Sequence, residues 1–240
     1  MSNTTPLCTL ALTFAAVSLS GCDAEPNLAD YATNEIEAVL KVQNTESGNE
    51  GAFEVILLGP SSGLSPNYIK LSEQAALTAT WGDDSLQLEQ VTQGAISYGG
   101  TFTTTESTEF NIAFTRPDGE DAPINTIFLA APFEITDVSS SVAPGGSLEI
   151  SWSGGSGTVE LVISGACIAQ YNASVDMADG AISLPFESLI PIDATAPTSC
   201  ALSTQMNNTT EGAADPAWNA ESSTVGRVLR RQDDATTYQP

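Results

Sequence analysis

In the stretch "EIEAVLKVQ", Ile36, Ala38, Leu40 and Val42 are spaced by two, with Glu35, Glu37, Lys41 and Gln43 between them. An α-helix would scatter that set around its circumference. Extended chain, whose side chains alternate, gathers it on one face. The period therefore dictates a half-buried strand. It recurs in "AFEVILLG" (Phe53, Val55, Leu57), "ALTATW" (Leu77, Ala79, Trp81), "SLQLEQ" (Leu86, Leu88), "AISYGGTF" (Ile96, Tyr98, Phe102), "EFNIAFTR" (Phe110, Ile112, Phe114) and "INTIFLAA". Turn clusters such as "NTESGNEG" and "RPDGEDAP" separate these runs. Short strands with turn signals roughly every ten residues predict a β-sandwich or barrel.

Near Pro132 the pattern restarts. Leu148, Ile150 and Trp152 share a face after a Pro-Gly-Gly turn. Val159, Leu161 and Ile163 follow, then Ile182, Leu184 and Phe186, then Cys200, Leu202 and Met206. "NNTTEGAADPAWNAESS" reads as a long polar loop, "TVGRVLRR" as a closing strand and "QDDATTYQP" as a frayed tail. The expected fold is all-β, with two tandem immunoglobulin-like β-sandwiches over residues 34–132 and 133–232 and a disordered tail over 233–240. This spacing, with its core aromatics, resembles tandem immunoglobulin-like or fibronectin-like modules. In antibody-type domains the core tryptophan follows the first cysteine, whereas Trp152 precedes Cys167. The resemblance thus implies the architecture and not that family's disulfide. "FTRPDGEDAPINTIFLAAPFEIT" also looks like the linker region of two-module lipoproteins from Gram-negative bacteria, a likeness that carries no activity with it.

The N-terminal segment has a different character. Residues 1–22 carry no charged side chain, and Leu7 to Val17 is an apolar run too short to span a bilayer. It has the length of a signal-peptide core and is followed by small residues. Leu19-Ser20-Gly21-Cys22 resembles the lipobox of bacterial lipoproteins. In that family the cysteine is acylated and the chain is cut just before it. The resemblance implies a signal peptide over 1–21, lipid attachment at Cys22 and a polar tether over 22–33. "MSNTTP" departs from the usual pattern in having no Lys or Arg. The alternative is an ordinary cleaved signal peptide that leaves Cys22 as a thiol. Two or more acyl chains hold a protein stably on a membrane, where one does not. The implied location is the bacterial cell envelope. Asp23 resembles an inner-membrane retention signal of enteric bacteria, so the inner membrane stays open beside the outer.

Export bears on the other cysteines. Cys167 and Cys200 form an even pair in an oxidising compartment, which favours a disulfide over two buried thiols. Histidine is absent, and no close Cys-x-x-Cys pair occurs, so a zinc site is not expected.

Six Lys plus Arg against thirty Asp plus Glu give a net charge of −24. Such a surface repels nucleic acid and anionic lipid heads. Its plain consequence is solubility, and its sharper one is affinity for divalent cations. "WGDDS" (Asp83, Asp84) and "PDGED" (Asp118, Glu120, Asp121) are the best-placed acidic loops for calcium. Neither has EF-hand spacing, and a solvated turn is the preferred reading. Without histidine there is no Ser-His-Asp or Cys-His catalysis. Paired carboxylates are too numerous to mark a glycosidase site. No catalytic residues and no cofactor are expected.

Three features stay as candidates. "GRVLRR" holds Arg227, Arg230 and Arg231, half of the positive charge. An edge strand guarded by charge is preferred there over a contact for an acidic partner. Trp218, in "DPAWN", is either an exposed ligand contact or a plug over a sandwich end. Asn172, Asn207 and Asn208 match the glycosylation pattern, which in a bacterial lipoprotein is coincidence. The expected function is a non-catalytic, lipid-anchored envelope protein acting as a structural, spacer or protein-binding module. The alternative is a carbohydrate- or Ca2+-binding surface module using Trp218 or Asp118.

Overall fold

The alternating runs become strands in a computed structural model that describes residues 27–45, 48–60, 67–91, 95–192 and 199–239. The expected signal peptide, Cys22 and the start of the expected tether lie outside the described residues. Strands β1 (Glu37–Asn44) and β2 (Glu50–Gly59) pair antiparallel, with Leu40 opposite Val55. The two-residue β3 (Asn67–Tyr68) adds to β2. The chain then crosses to a second sheet with β4 (Ala76–Trp81) and β5 (Asp84–Gln87). It returns through Leu88 to β6 (Glu89–Val91) and β7 (Ser97–Thr103). It crosses again to β8 (Thr108–Thr115) and β9 (Thr126–Leu129), giving the order β5-β4-β8-β9. Phe53 and Phe102 from one sheet meet Trp81 and Phe110 from the other, with ring centroids 4.7 to 6.1 Å apart. Mixed edge and tilted geometries are what ring quadrupoles favour, and this quartet is the centre of the first core.

The second sandwich contains β10 (Phe133–Val138), β11 (Ser141–Val142), β12 (Ser147–Gly154), β13 (Thr158–Gly165), β14 (Ile168–Asp176), β15 (Ala181–Pro185), β16 (Cys200–Glu211) and β17 (Ser223–Tyr238). Sheet β10-β12-β15 packs on β14-β13-β16-β17, and β11 joins β17 in parallel. This is the three-against-four division of an immunoglobulin-like module. Trp152 is buried on β12, its Nε1 donating to the Met177 carbonyl at 3.0 Å. A buried indole needs such a partner. The chain is thus all-β and built as sandwiches.

The C-terminal hairpin belongs to both sandwiches. β17 is 16 residues long, about 50 Å at the usual strand rise. Its start pairs in parallel with β1, from Val39 opposite Ser223 to Asn44 opposite Val228. Along its length it also pairs antiparallel with β16. One sheet therefore runs β14-β13-β16-β17-β1-β2-β7-β6 through the molecule. The first sheet is completed by residues far downstream, Ser223 opposite Val39 and Val228 opposite Asn44, so 34–132 is not a closed unit.

Two sequence expectations change accordingly. Residues 207–211, expected in a loop, extend β16, and 233–238, expected in a disordered tail, extend β17. Polar side chains on both faces hide the period there. A bulge hides it further: Leu202 pairs with Thr236 and Thr204 with Gln232, so β17 carries extra residues, with Asp234 at φ 56°. β14 was also unforeseen, because Ile168 and Val175 are the members of it that are buried.

The hairpin is seated on β9 by close approach. An added Cβ on Gly226 would lie 1.9 Å from the Phe128 carbonyl oxygen, and one on Gly212 would lie 2.0 Å from that of Thr126. Thr126 and Ala213 exchange two backbone hydrogen bonds of 2.9 Å at this contact. Glycine is required there for lack of room rather than for turn geometry.

Candidate functional site

Arg230 marks where the two sandwiches meet. It lies on β17 just beyond the β1 pairing, with the inward parity of Gly226 and Val228, and its side chain is 4% exposed. Its Nε donates to Glu134 Oε1 on β10 at 3.1 Å. Nη1 donates to the carbonyls of Asn44 at 3.1 Å and Leu229 at 2.9 Å, and Nη2 to that of Gly48 at 3.1 Å. The guanidinium carbon sits 5.7 Å from the centre of the Phe133 ring. The Gly48 amide donates to the same Glu134 oxygen at 2.7 Å. One cation thus ties the β1–β2 turn of the first sandwich to the opening strand of the second. Burial pulls the Arg230 pKa below its ordinary value and Glu134 pulls it back, so the group stays charged.

This corrects the reading of "GRVLRR". Arg227 lies where β17 is flanked by both β16 and β1, and Arg230 is buried in the junction, so neither guards an exposed sheet edge. Arg227 donates to Asn207 Oδ1 at 2.9 Å, and Arg231 to Asp233 Oδ1 at 2.6 Å on the surface. Hydrogen bonds from Ser203 and then Arg231 hold the Asp233 carboxyl below its ordinary range.

Trp218 is the plug and not the ligand contact. It is 3% exposed, tilted on Phe114 with centroids 4.7 Å apart, and its Nε1 donates to Asn125 Oδ1 at 2.8 Å. The same oxygen accepts the Asp215 amide at 2.9 Å. Beside this plug runs an open groove lined by Asn34, Glu120, Asp121, Pro123, Asp215 and Pro216. Asp215 is already used, accepting the amides of Ile124 and Ala217 at 2.8 and 2.9 Å.

The calcium candidates fare similarly. Asp118, Glu120 and Asp121 are exposed on the turn after β8. Asp121 Oδ1 accepts the Arg116 amide at 2.8 Å, and the Glu120 carbonyl accepts the Thr33 hydroxyl at 2.5 Å. Asp83 is in the β4–β5 hairpin turn and Asp84 opens β5 opposite Trp81. Among the described residues, no three His, Cys, Asp or Glu side chains are grouped to hold a metal ion.

The described part of the tether is docked. Leu28 is buried, and the guanidinium of buried Arg116 donates to the carbonyls of Tyr31 at 2.9 Å and Leu28 at 3.0 Å. Cys167 and Cys200 form a disulfide with Cα atoms 5.9 Å apart, joining the β13–β14 turn to the start of β16. Arg116, Asn125 and Glu134 were missed by the sequence reading. Arg116 and Arg230 each continue an apolar parity, Phe114–Arg116 and Val228–Arg230, and that inward position was the available signal.

No protein-family model matches the chain. No curated protein matches it either. Among solved structures, a two-domain fibronectin type-III segment from chicken tenascin aligns over 81% of this chain and 97% of its own, at 12% identity and a TM-score of 0.25. A superposition that loose carries no argument, and the fold rests on the strand topology described above.

Proposed function

We propose that this chain is a non-catalytic, lipid-anchored protein of the bacterial cell envelope, working as a spacer or protein-binding module. The observation that carries the spacer reading is the sheet running uninterrupted through both sandwiches, with Arg230 fastened across their junction. Tandem modules joined by a free linker reorient. A shared strand fixes distance and direction, which is what a spacer supplies. The anchor rests on the apolar leader and the run Leu19-Ser20-Gly21-Cys22. The acidic surface suits a protein kept off anionic lipid heads and free of nucleic acid.

The carbohydrate alternative loses its residue, since Trp218 is buried. The test is the intact mass of the mature protein from membrane fractions, wild type beside Cys22→Ala. A lipid-sized increment on an N-terminal Cys22, absent in the variant, supports the anchor. An unlipidated soluble chain starting near Asp23 overturns it.

A further inference from the structure

We infer that the parallel β1–β17 pair is a mechanical clasp, which carries in shear any tension applied between the start of β1 and the end of β17. The inference rests on the spacer reading solely for the source of the load; the clasp follows from topology.

Both strands run in the same direction, from the end of the first sandwich near Glu37 toward the junction, where β1 stops and β17 continues through the second sandwich. Tension on the N-terminal side of β1 pulls it backward along its axis. Tension beyond Tyr238 pulls β17 forward. The two strands can separate in that direction only by sliding. Six register pairs between them, Val39–Ser223 to Asn44–Val228, are then loaded together. β1 is also held on its other side by β2 through seven pairs, from Glu37–Leu58 to Gln43–Ala52. β17 is held along its far side by β16.

Two features resist the slide beyond the ladders. Arg230 sits one turn of the pleat past Val228 and holds the carbonyls of Asn44 and Gly48, so the exit of β1 drags against a buried guanidinium. Gly226 lets β9 press on β17 at Phe128 from the opposite sheet, and Gly212 with the Thr126–Ala213 bridge holds the end of the partner strand β16 on β9. An antiparallel terminal pair pulled from its open end would instead unzip one bond at a time. The parallel crossover makes β1 and β17, the first and last strands among the described residues, partners in shear.

The test is single-molecule pulling with handles on exposed cysteines, in the chain with Cys8 and Cys22 changed to serine. Handles at Glu35→Cys and Gln239→Cys load the pair in shear. Handles at Glu35→Cys and Glu221→Cys pull the same two strands apart from their shared end. All three sites are exposed and lie outside the paired registers, so the ladders are the same in both geometries. The expected result is a several-fold higher rupture force for the first pair of handles. Arg230→Met is expected to lower the first force and leave the second unchanged. Equal rupture forces in the two geometries would overturn the clasp. The lipid anchor has no part in this measurement, so its failure in the mass test would leave the result intact.

Discussion

Arg230 donates to Glu134 across the junction of the two sandwiches at 3.1 Å, but the two partners stand in unlike surroundings. The arginine side chain is 4% exposed and the glutamate 40%. Removing the arginine takes its donors from the carbonyls of Asn44 and Gly48, leaves Gly48 only the 3.4 Å bond from Asn44 Nδ2, and empties the space over Phe133. Arg230→Ala is therefore expected to cost about 2–4 kcal/mol. Glu134→Gln keeps an acceptor and loses mainly a half-screened charge, so about 1 kcal/mol or less is expected. Urea unfolding of both variants measures the order. Equal costs would mean that the ion pair, and not the carbonyl contacts, holds the junction.

A second expectation concerns Gly226. In an open strand, replacing glycine by alanine stabilises by restricting the unfolded chain. Here the new methyl would lie 1.9 Å from the Phe128 carbonyl. The hairpin must retreat from β9, and overpacking of this kind costs about 1–3 kcal/mol. Gly226→Ala is expected to destabilise by that amount, with loss of amide protection at Thr126 and Ala213. A neutral or stabilising outcome would show that β9 and the hairpin part without penalty.

The strands of both cores were legible because each buries one face. Period two survives wherever inside and outside differ, as in Ile36–Val42 or Leu148–Trp152. The reading failed where the difference vanishes. Asn207–Glu211 and Thr236–Thr237 pair through backbone atoms, Asp233–Ala235 form the bulge, and polar side chains stand at nearly every position. The crossing of β17 onto β1 was illegible for another reason. Parallel pairing is set by where a distant segment arrives, and no local pattern encodes it. The candidate residues divide in the same way. The disulfide was legible from an even cysteine pair and export. Trp218 stood in a polar segment that folds inward as a unit with Asn125, which composition does not reveal.

Tyr98 supplies a pH dependence. Burial raises its pKa above the ordinary 10.0, against the lowering effect of the hydrogen bond that its oxygen accepts from the Leu71 amide at 2.6 Å. The folded state therefore holds this proton more tightly than the unfolded state. The contribution is fully present below pH 10.0 and is lost as the pH rises from there through the folded-state value. Stability is expected to fall more steeply above that pH in the wild type than in Tyr98→Phe. Denaturant midpoints at neutral and strongly alkaline pH measure the difference. Parallel slopes would mean that Tyr98 ionises as freely folded as unfolded.

The disulfide tests whether the two sandwiches unfold as one. It spans 33 residues, and in the chain-entropy account a loop of that length stabilises by about 3–4 kcal/mol. If the sandwiches were independent, Cys167→Ala with Cys200→Ala would loosen the second alone. Cys200, however, begins β16, and β16 carries β17, which closes the sheet of the first sandwich on β1. Fraying at Cys200 therefore reaches Leu40 and Val42 by way of the hairpin. Hydrogen exchange in the double variant is expected to lose protection in β1 and β13 together. Calorimetry is expected to show one transition whose calorimetric and van't Hoff enthalpies agree, at a lower midpoint than the wild type. Two resolved transitions, with β1 still protected after the lower one, would mean that the shared strand joins the sandwiches without coupling them.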